Sequence, residues 1–172
     1  MAVVTGTVQL VTGFNQTVTS GLVTTQTLPA SISLTTQYAN GTGAGQINLI
    51  YAKQIALVAS TPQTIDLTAL ADLSGATVNF ARIRELVVQV VTATSSFNVA
   101  LGAAAANPWA PFWGTTGTDT VFAGSIRYFT DPTSVGSGVG AVTSGTSKNL
   151  KLDPGSNNVT INLLIAGCTA VS

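Results

Sequence analysis

The reactive side chains of this chain are few, and their types limit the chemistry that it can perform. Its 172 residues include no histidine, one cysteine and six acidic residues. Without histidine, neither a Ser-His-Asp triad nor a Cys-His pair can form, and the common Cys/His zinc sites are excluded. A glycosidase needs two carboxylates at a fixed separation, and nothing places Glu85 and Asp72 in that way. We expect no catalytic residue, metal or cofactor, and we expect Glu85 to pair with Arg82 or Arg84 or to meet solvent.

The single cysteine, Cys168, lies near the C-terminus of the sequence. One thiol cannot form an internal disulfide, and no histidine is present to activate it as a nucleophile. We therefore expect Cys168 to be a small buried side chain.

The segment GTGAG, residues 41–45, has glycine at alternate positions. A P-loop requires Gly-Lys-Ser/Thr before a helix, and a dinucleotide motif requires a strand before the glycines and a helix after them. Here a polar stretch precedes the run and a strand is expected to follow, so phosphate binding is not predicted. Glycine lets a chain change direction without side-chain cost. We predict that Gly41, Gly43 and Gly45 form a hinge.

The densest aromatic cluster lies in NPWAPFWG, residues 107–114. Closely spaced prolines and tryptophans predict an irregular loop. Such side chains plug the end of a β-sandwich, anchor a protein interface, or stack on sugar rings. The sequence leaves these three interpretations open, and it makes Trp109, Phe112 and Trp113 the interface candidates.

Charged residues make up only 7% of the chain, and six basic and six acidic residues give a formal net charge of zero. A typical soluble domain has about 25% charged residues. The six cations are too scattered for a nucleic-acid stripe or a polybasic membrane patch, and no apolar run is long enough to predict a membrane span. The N-terminus lacks the pattern of a secretory signal. Low net charge favours association, which indicates an assembled protein whose faces are covered by partners, or simply a neutral surface.

Frequent Val, Ile and Thr, with turn residues about every ten positions, are typical of an all-β sandwich or barrel. A short helical turn is predicted over 67–73, with Asp66 as its cap and Gly75 at its end. About eight strands after residue 45 would suffice for a two-sheet jelly roll. The main predicted strands are 46–58, 77–93, 96–102 as the hairpin partner of 77–93, 120–130, a short one near 139–143, and 158–167.

The first forty residues contain no charged side chain. Few of them are large and apolar, so we predict an extended N-terminal arm over 1–40 that gains order by packing on neighbours. Extended pieces at 3–11 and 17–27 fit it. The alternative is that these residues are the first strands of the domain. The arm would precede a jelly-roll-like β-sandwich domain over 41–172.

About three quarters of the chain resembles a family of small proteins encoded among the head genes of tailed bacteriophages. The segments that carry the resemblance are GTGAGQINLIYAKQIAL, TIDLTALADLSGATVNFARIRELVV, NPWAPFWG and NLKLDPGSNNVTINLLIAG. The resemblance implies a virion structural protein, a capsid cement or decoration protein made in the host cytoplasm and placed on the capsid surface. It implies as partners the major capsid protein and copies of the chain itself, as a homotrimer, with no nucleic acid and no membrane. The alternative is a carbohydrate- or receptor-binding module of a phage fibre or tail, with the aromatic loop as its platform.

Overall fold

The computed structural model describes residues 6–19, 25–71, 75–102, 104–109, 111–133 and 140–170. Within these ranges the chain forms thirteen strands and no helix, so the all-β prediction is confirmed. The strands are β1 (Gly6–Thr19), β2 (Thr25–Asn40), β3 (Gln46–Ile47), β4 (Leu49–Leu57), β5 (Gln63–Asp66), β6 (Leu70–Ala71), β7 (Thr77–Val78), β8 (Arg82–Val90), β9 (Asn98–Gly102), β10 (Thr118–Phe122), β11 (Ile126–Thr130), β12 (Asn149–Asp153) and β13 (Val159–Cys168).

Eight strands form two four-stranded antiparallel sheets, with the orders β11-β8-β13-β4 and β10-β9-β12-β5. Their pairing is nested along the chain. The first of the eight pairs with the last (β4 with β13), the second with the seventh (β5 with β12), the third with the sixth (β8 with β11), and the two in the middle with each other (β9 with β10).

The two sheets share one hydrophobic core, because buried side chains from both belong to the same cluster. β13 shows the sequence pattern that produces it. Val159, Ile161, Leu163 and Ile165 stand at alternate positions of this strand, which was predicted over 158–167, and all four are buried. Successive strand residues face opposite sides of a sheet, so this alternation presents one apolar face to the core. Of the predicted strand 77–93, residues 82–90 form β8, which is central because it lies between β11 and β13. Thr77 and Val78 form the separate strand β7, which pairs with β6.

The helical turn predicted over 67–73 is wrong for the described residues 67–71. The Leu67 N–H donates to the Lys148 carbonyl and so continues the β5–β12 ladder, and Leu70 already belongs to β6. The hydrogen bond expected of Asp66 as a cap is nevertheless present, because the Thr68 N–H donates to Asp66 Oδ1 at 2.9 Å. Burial of Leu67 and Leu70 in the core has outweighed local propensity.

The pairing predicted for 96–102 is also wrong. β9 pairs with β10 and β12 in the second sheet, and not with β8.

The prediction for 120–130 left a single strand or a bulged pair open. The structure has two strands, β10 and β11, which belong to different sheets. They are separated by a turn at Gly124, whose φ of 70° suits glycine. Near 139–143 the described residues form only isolated bridges, at Ala141 and Thr143.

The first forty residues contribute a long two-stranded ribbon, here called the N-terminal ribbon and made of β1 and β2. The strands pair antiparallel from Gly6–Tyr38 to Thr19–Thr25. At its base, β2 pairs with β3 in parallel through Ala39 and Asn40. The pieces predicted at 3–11 and 17–27 are therefore parts of longer strands where they are described, and residues 3–5 and 20–24 lie outside the described ranges.

Candidate interaction site at the base of the N-terminal ribbon

The N-terminal ribbon is attached to the domain through a tyrosine and a buried carboxyl group. The Tyr38 hydroxyl, on β2, donates a hydrogen bond to Glu85 Oε1, on β8. The Thr130 hydroxyl donates to the same oxygen at 3.0 Å. Glu85 is fully buried and Tyr38 nearly so. The expectation that Glu85 pairs with an arginine or meets solvent is therefore wrong. Asp72, its partner in the hypothetical glycosidase pair, lies outside the described residues.

A small apolar cluster surrounds this attachment. Tyr38 and Ile47 pack with Ala166 of β13, separately from the main core. Ala166 lies opposite Glu85 in the sheet register, and Thr130 lies opposite Glu85 on its other side. The base of the ribbon therefore covers one end of the sheet face that points away from the main core.

Burial sets the protonation of the tyrosines at this site. It raises the pKa of Tyr38 well above its usual value, and the neighbouring Glu85 carboxyl raises it further. Burial and Glu85 also raise the pKa of Tyr128 to about 12. Tyr51, in the main core, has its pKa raised by burial alone. All three tyrosines of the chain are thus held as neutral phenols.

Alkaline titration tests this assignment. An ordinary tyrosine has a pKa of about 10, and the folded values lie above it. The neutral phenols therefore stabilise the folded state fully below about pH 10. This stabilisation is lost as the pH rises through the pKa values of the folded state. We expect tyrosinate absorbance to appear only above about pH 10 and together with unfolding. In guanidinium, the three phenols should titrate near pH 10. A phenol that ionises near pH 10 while the protein stays folded would contradict the assignment.

The glycine run, residues 41–45, is hydrogen-bonded to other segments of the chain. Arg84 Nη2 donates to the Gly43 carbonyl at 3.0 Å, and the Gly45 N–H donates to the Pro132 carbonyl at 2.8 Å. Gly41 and Gly45 have φ of 148° and 66°, values that favour glycine. As predicted, a strand and not a helix follows the run, so neither phosphate motif has its required context. The hinge at Gly41, Gly43 and Gly45 stays a prediction.

Cys168 is buried close to this run, as predicted. Its thiol donates to the Gln46 carbonyl at 3.2 Å. Burial raises the pKa of the thiol, against the opposite effect of Arg84. A protonated, inaccessible thiol is a poor nucleophile.

The aromatic loop lies at another part of the domain. Trp109 is completely buried in the main core, and its indole N–H donates to the Ala141 carbonyl at 3.1 Å. Phe112 and Trp113 are half-buried and pack against the core. The rings of Phe112 and Phe129 stack with their centroids 4.8 Å apart. Trp113 packs edge-on against Phe129, with ring centroids 5.2 Å apart. Trp109 therefore fills the end of the core, and only Phe112 and Trp113 present surface to a partner. Their role at an interface stays a prediction.

Sequence reasoning missed a second surface, the side of the β11-β8-β13-β4 sheet that points away from the core. Three amides cross its strands in one row: Gln54 donates to Asn162 at 3.1 Å, and Asn162 donates to Gln89 at 3.0 Å. Exposed apolar side chains flank the row. This surface, the outer face, consists of Ile50, Gln54, Gln89, Ile126, Asn162 and Leu164. Its members carry no charge, and the alternation of β4 and β13 was the signal that could have revealed it.

No family model matches the chain, and no curated protein or solved structure is similar to it. The described residues contain no group of three or more acidic or cysteine side chains able to hold a metal ion. Nor does the described part of the chain form a helix that is long and apolar enough to cross a membrane.

Proposed function

We propose that this chain is a structural protein of a virion, a cement or decoration protein on the capsid surface with no enzymatic role. It would be made in the host cytoplasm and would bind the major capsid protein and further copies of itself. The resemblance of residues 41–172 to phage head proteins suggests this role. The observation that carries it is the N-terminal ribbon, a long uncharged segment attached to the domain at its base.

We infer further that residues 41–172 form a jelly-roll sandwich. The nested pairing of the eight strands and the core that both sheets share support this arrangement. Two-sheet jelly rolls of eight strands occur in viral capsid proteins and in lectins. The fold is therefore compatible with the proposed role and with its main alternative.

Two features of the described surface fit contacts between subunits. The ribbon offers main-chain groups, which give affinity to an added strand without any need for charge. The outer face offers uncharged amide and apolar side chains, which lose little on desolvation compared with charged ones. We propose that the ribbon acts as the arm that reaches a neighbouring subunit.

Binding to assembled shells tests the proposal. The full chain should copurify with the shells in a fixed ratio to the major capsid protein. A variant that lacks residues 2–36 keeps Tyr38, whose hydroxyl donates to Glu85 in the full chain, and we expect its bound amount to fall at least tenfold. Phe122→Ala, an exposed position on β10, is the control and should bind shells normally. Unchanged binding of the truncated chain, with its thermal unfolding intact, would refute the role of the ribbon.

The alternative is a carbohydrate- or receptor-binding module, and the partial exposure of Phe112 and Trp113 favours it. Aromatic rings on a loop stack on sugars. A glycan array would then show binding that Trp113→Ala abolishes while the protein stays folded. Glycan binding without copurification with shells would favour this function over the structural one.

A further inference from the structure

The outer edge of β1 has no hydrogen-bonding partner among the described residues. β1 pairs with β2 over its whole length, Gly6–Thr19, and is the outermost strand of the sheet β1-β2-β3. In an antiparallel ladder, alternate residues direct their N–H and C=O groups to either side. A strand of this length spans about 45 Å, and about seven of its residues offer outward main-chain groups.

This edge lacks the devices that prevent strand addition. Edges of natural sheets are blunted by charged side chains or by proline. β1 has neither, whereas β2 contains Pro29. The domain, by contrast, has a charged residue on each edge strand of its two four-stranded sheets: Lys53 on β4, Asp66 on β5, Asp119 on β10 and Arg127 on β11. The chain therefore protects four edges and leaves β1 open.

The ribbon also has little support of its own. A two-stranded ribbon is marginally stable in water, and three or more strands are usually needed. Its described attachment lies at the base, through Tyr38 and the pairing of Ala39 with Gln46. Further strands at the open edge would supply the support that the ribbon lacks.

We propose that the open edge of β1 pairs antiparallel with β1 of a second copy of this chain. The two ribbons then form one four-stranded sheet, ordered β2-β1 and then β1-β2 of the partner. Because β1 has no charged residue, self-pairing brings no like charges together. The contact is the same on both copies, so it closes as a dimer. Pairing of β1 with β2 of another copy, which a ring of three requires, would use a strand that contains Pro29, a residue with no N–H to donate.

This inference rests on the proposed function only in that both describe an assembling protein. Its test uses the purified full chain without shells, so failure here and failure of shell binding are distinguishable. Sedimentation should give a mass of twice 17.4 kDa. A mass of one copy or of three copies overturns the inference.

A charge swap locates the contact. Thr12 lies near the middle of β1, so two-fold pairing brings both copies of this residue close together. We expect Thr12→Lys alone and Thr12→Glu alone to raise the dimer dissociation constant at least tenfold. An equimolar mixture of the two should restore the dimer. Thr27→Lys, on β2, is the matched control and should leave the dimer unchanged.

The same samples are checked by thermal unfolding of the domain, which neither charge should alter. A dimer that survives both single substitutions at Thr12 overturns the inference, because a different surface must then hold the copies together. So does a mixture that fails to reassociate.

Discussion

Trp109→Ala is expected to lower the free energy of unfolding by about 3–5 kcal/mol, the usual cost of truncating a large buried aromatic side chain. Trp109 has no exposed surface, and the centroid of its ring lies 5.9 Å from that of Phe112 and 6.3 Å from that of Trp113. The variant also loses the hydrogen bond to the Ala141 carbonyl. Urea unfolding at neutral pH measures the difference.

Phe122→Ala is the matched control for this measurement. Phe122 is also aromatic and lies on a strand, but 56% of it is exposed. Surface substitutions usually change stability by no more than about 0.5 kcal/mol. If Trp109→Ala proved as mild as Phe122→Ala, the assignment of Trp109 to the core would be wrong.

Tyr38→Phe is expected to lower the free energy of unfolding by about 1–3 kcal/mol, the range for removing one hydrogen-bond partner from a buried polar group. The substitution leaves the buried carboxyl group of Glu85 with Thr130 as its remaining described donor. Because the bond joins the ribbon to the domain, its loss should also loosen β2. Amide hydrogen exchange over residues 25–40 should become faster, whereas exchange in β13 should change only through global unfolding.

Tyr51→Phe separates the effect of this hydrogen bond from that of a lost hydroxyl in general. Tyr51 is equally buried, and its hydroxyl has no hydrogen bond to a described residue. We expect it to have little effect on stability. Equal losses for the two variants, or unchanged exchange in residues 25–40 of Tyr38→Phe, would mean that Tyr38 does not secure the ribbon.

The parts of the fold that the sequence predicted are those that depend on local pattern. Alternation along β13 indicates its buried face, and apolar residues on both faces of β8 indicate a central strand. Both properties are set by the strand's own residues. The turn at Asp153-Pro154-Gly155 is also set by its own residues, because proline fixes its φ and Gly155 has the positive φ of 59° that such a turn needs.

The parts that were missed depend on partners distant in the chain. The Leu67 N–H is taken by Lys148, 81 positions later, so the helical propensity of 67–73 did not decide the outcome. The separation of 47 positions between Tyr38 and Glu85 hid their contact in the same way. A charged residue such as Glu85 is expected at the surface. It is buried because β2 covers this end of the sheet and places Tyr38 against it.

The nested pairing of strands also fixes the order in which the molecule can be completed during translation. β13 leaves the ribosome after the other twelve described strands, yet it lies in the middle of its sheet, between β8 and β4. That sheet cannot close until residues 159–168 have emerged, and pairings so distant in sequence form slowly. The N-terminal ribbon needs only the first forty residues. Nascent chains on one messenger RNA would therefore display their open β1 edges to each other before any of their domains had folded.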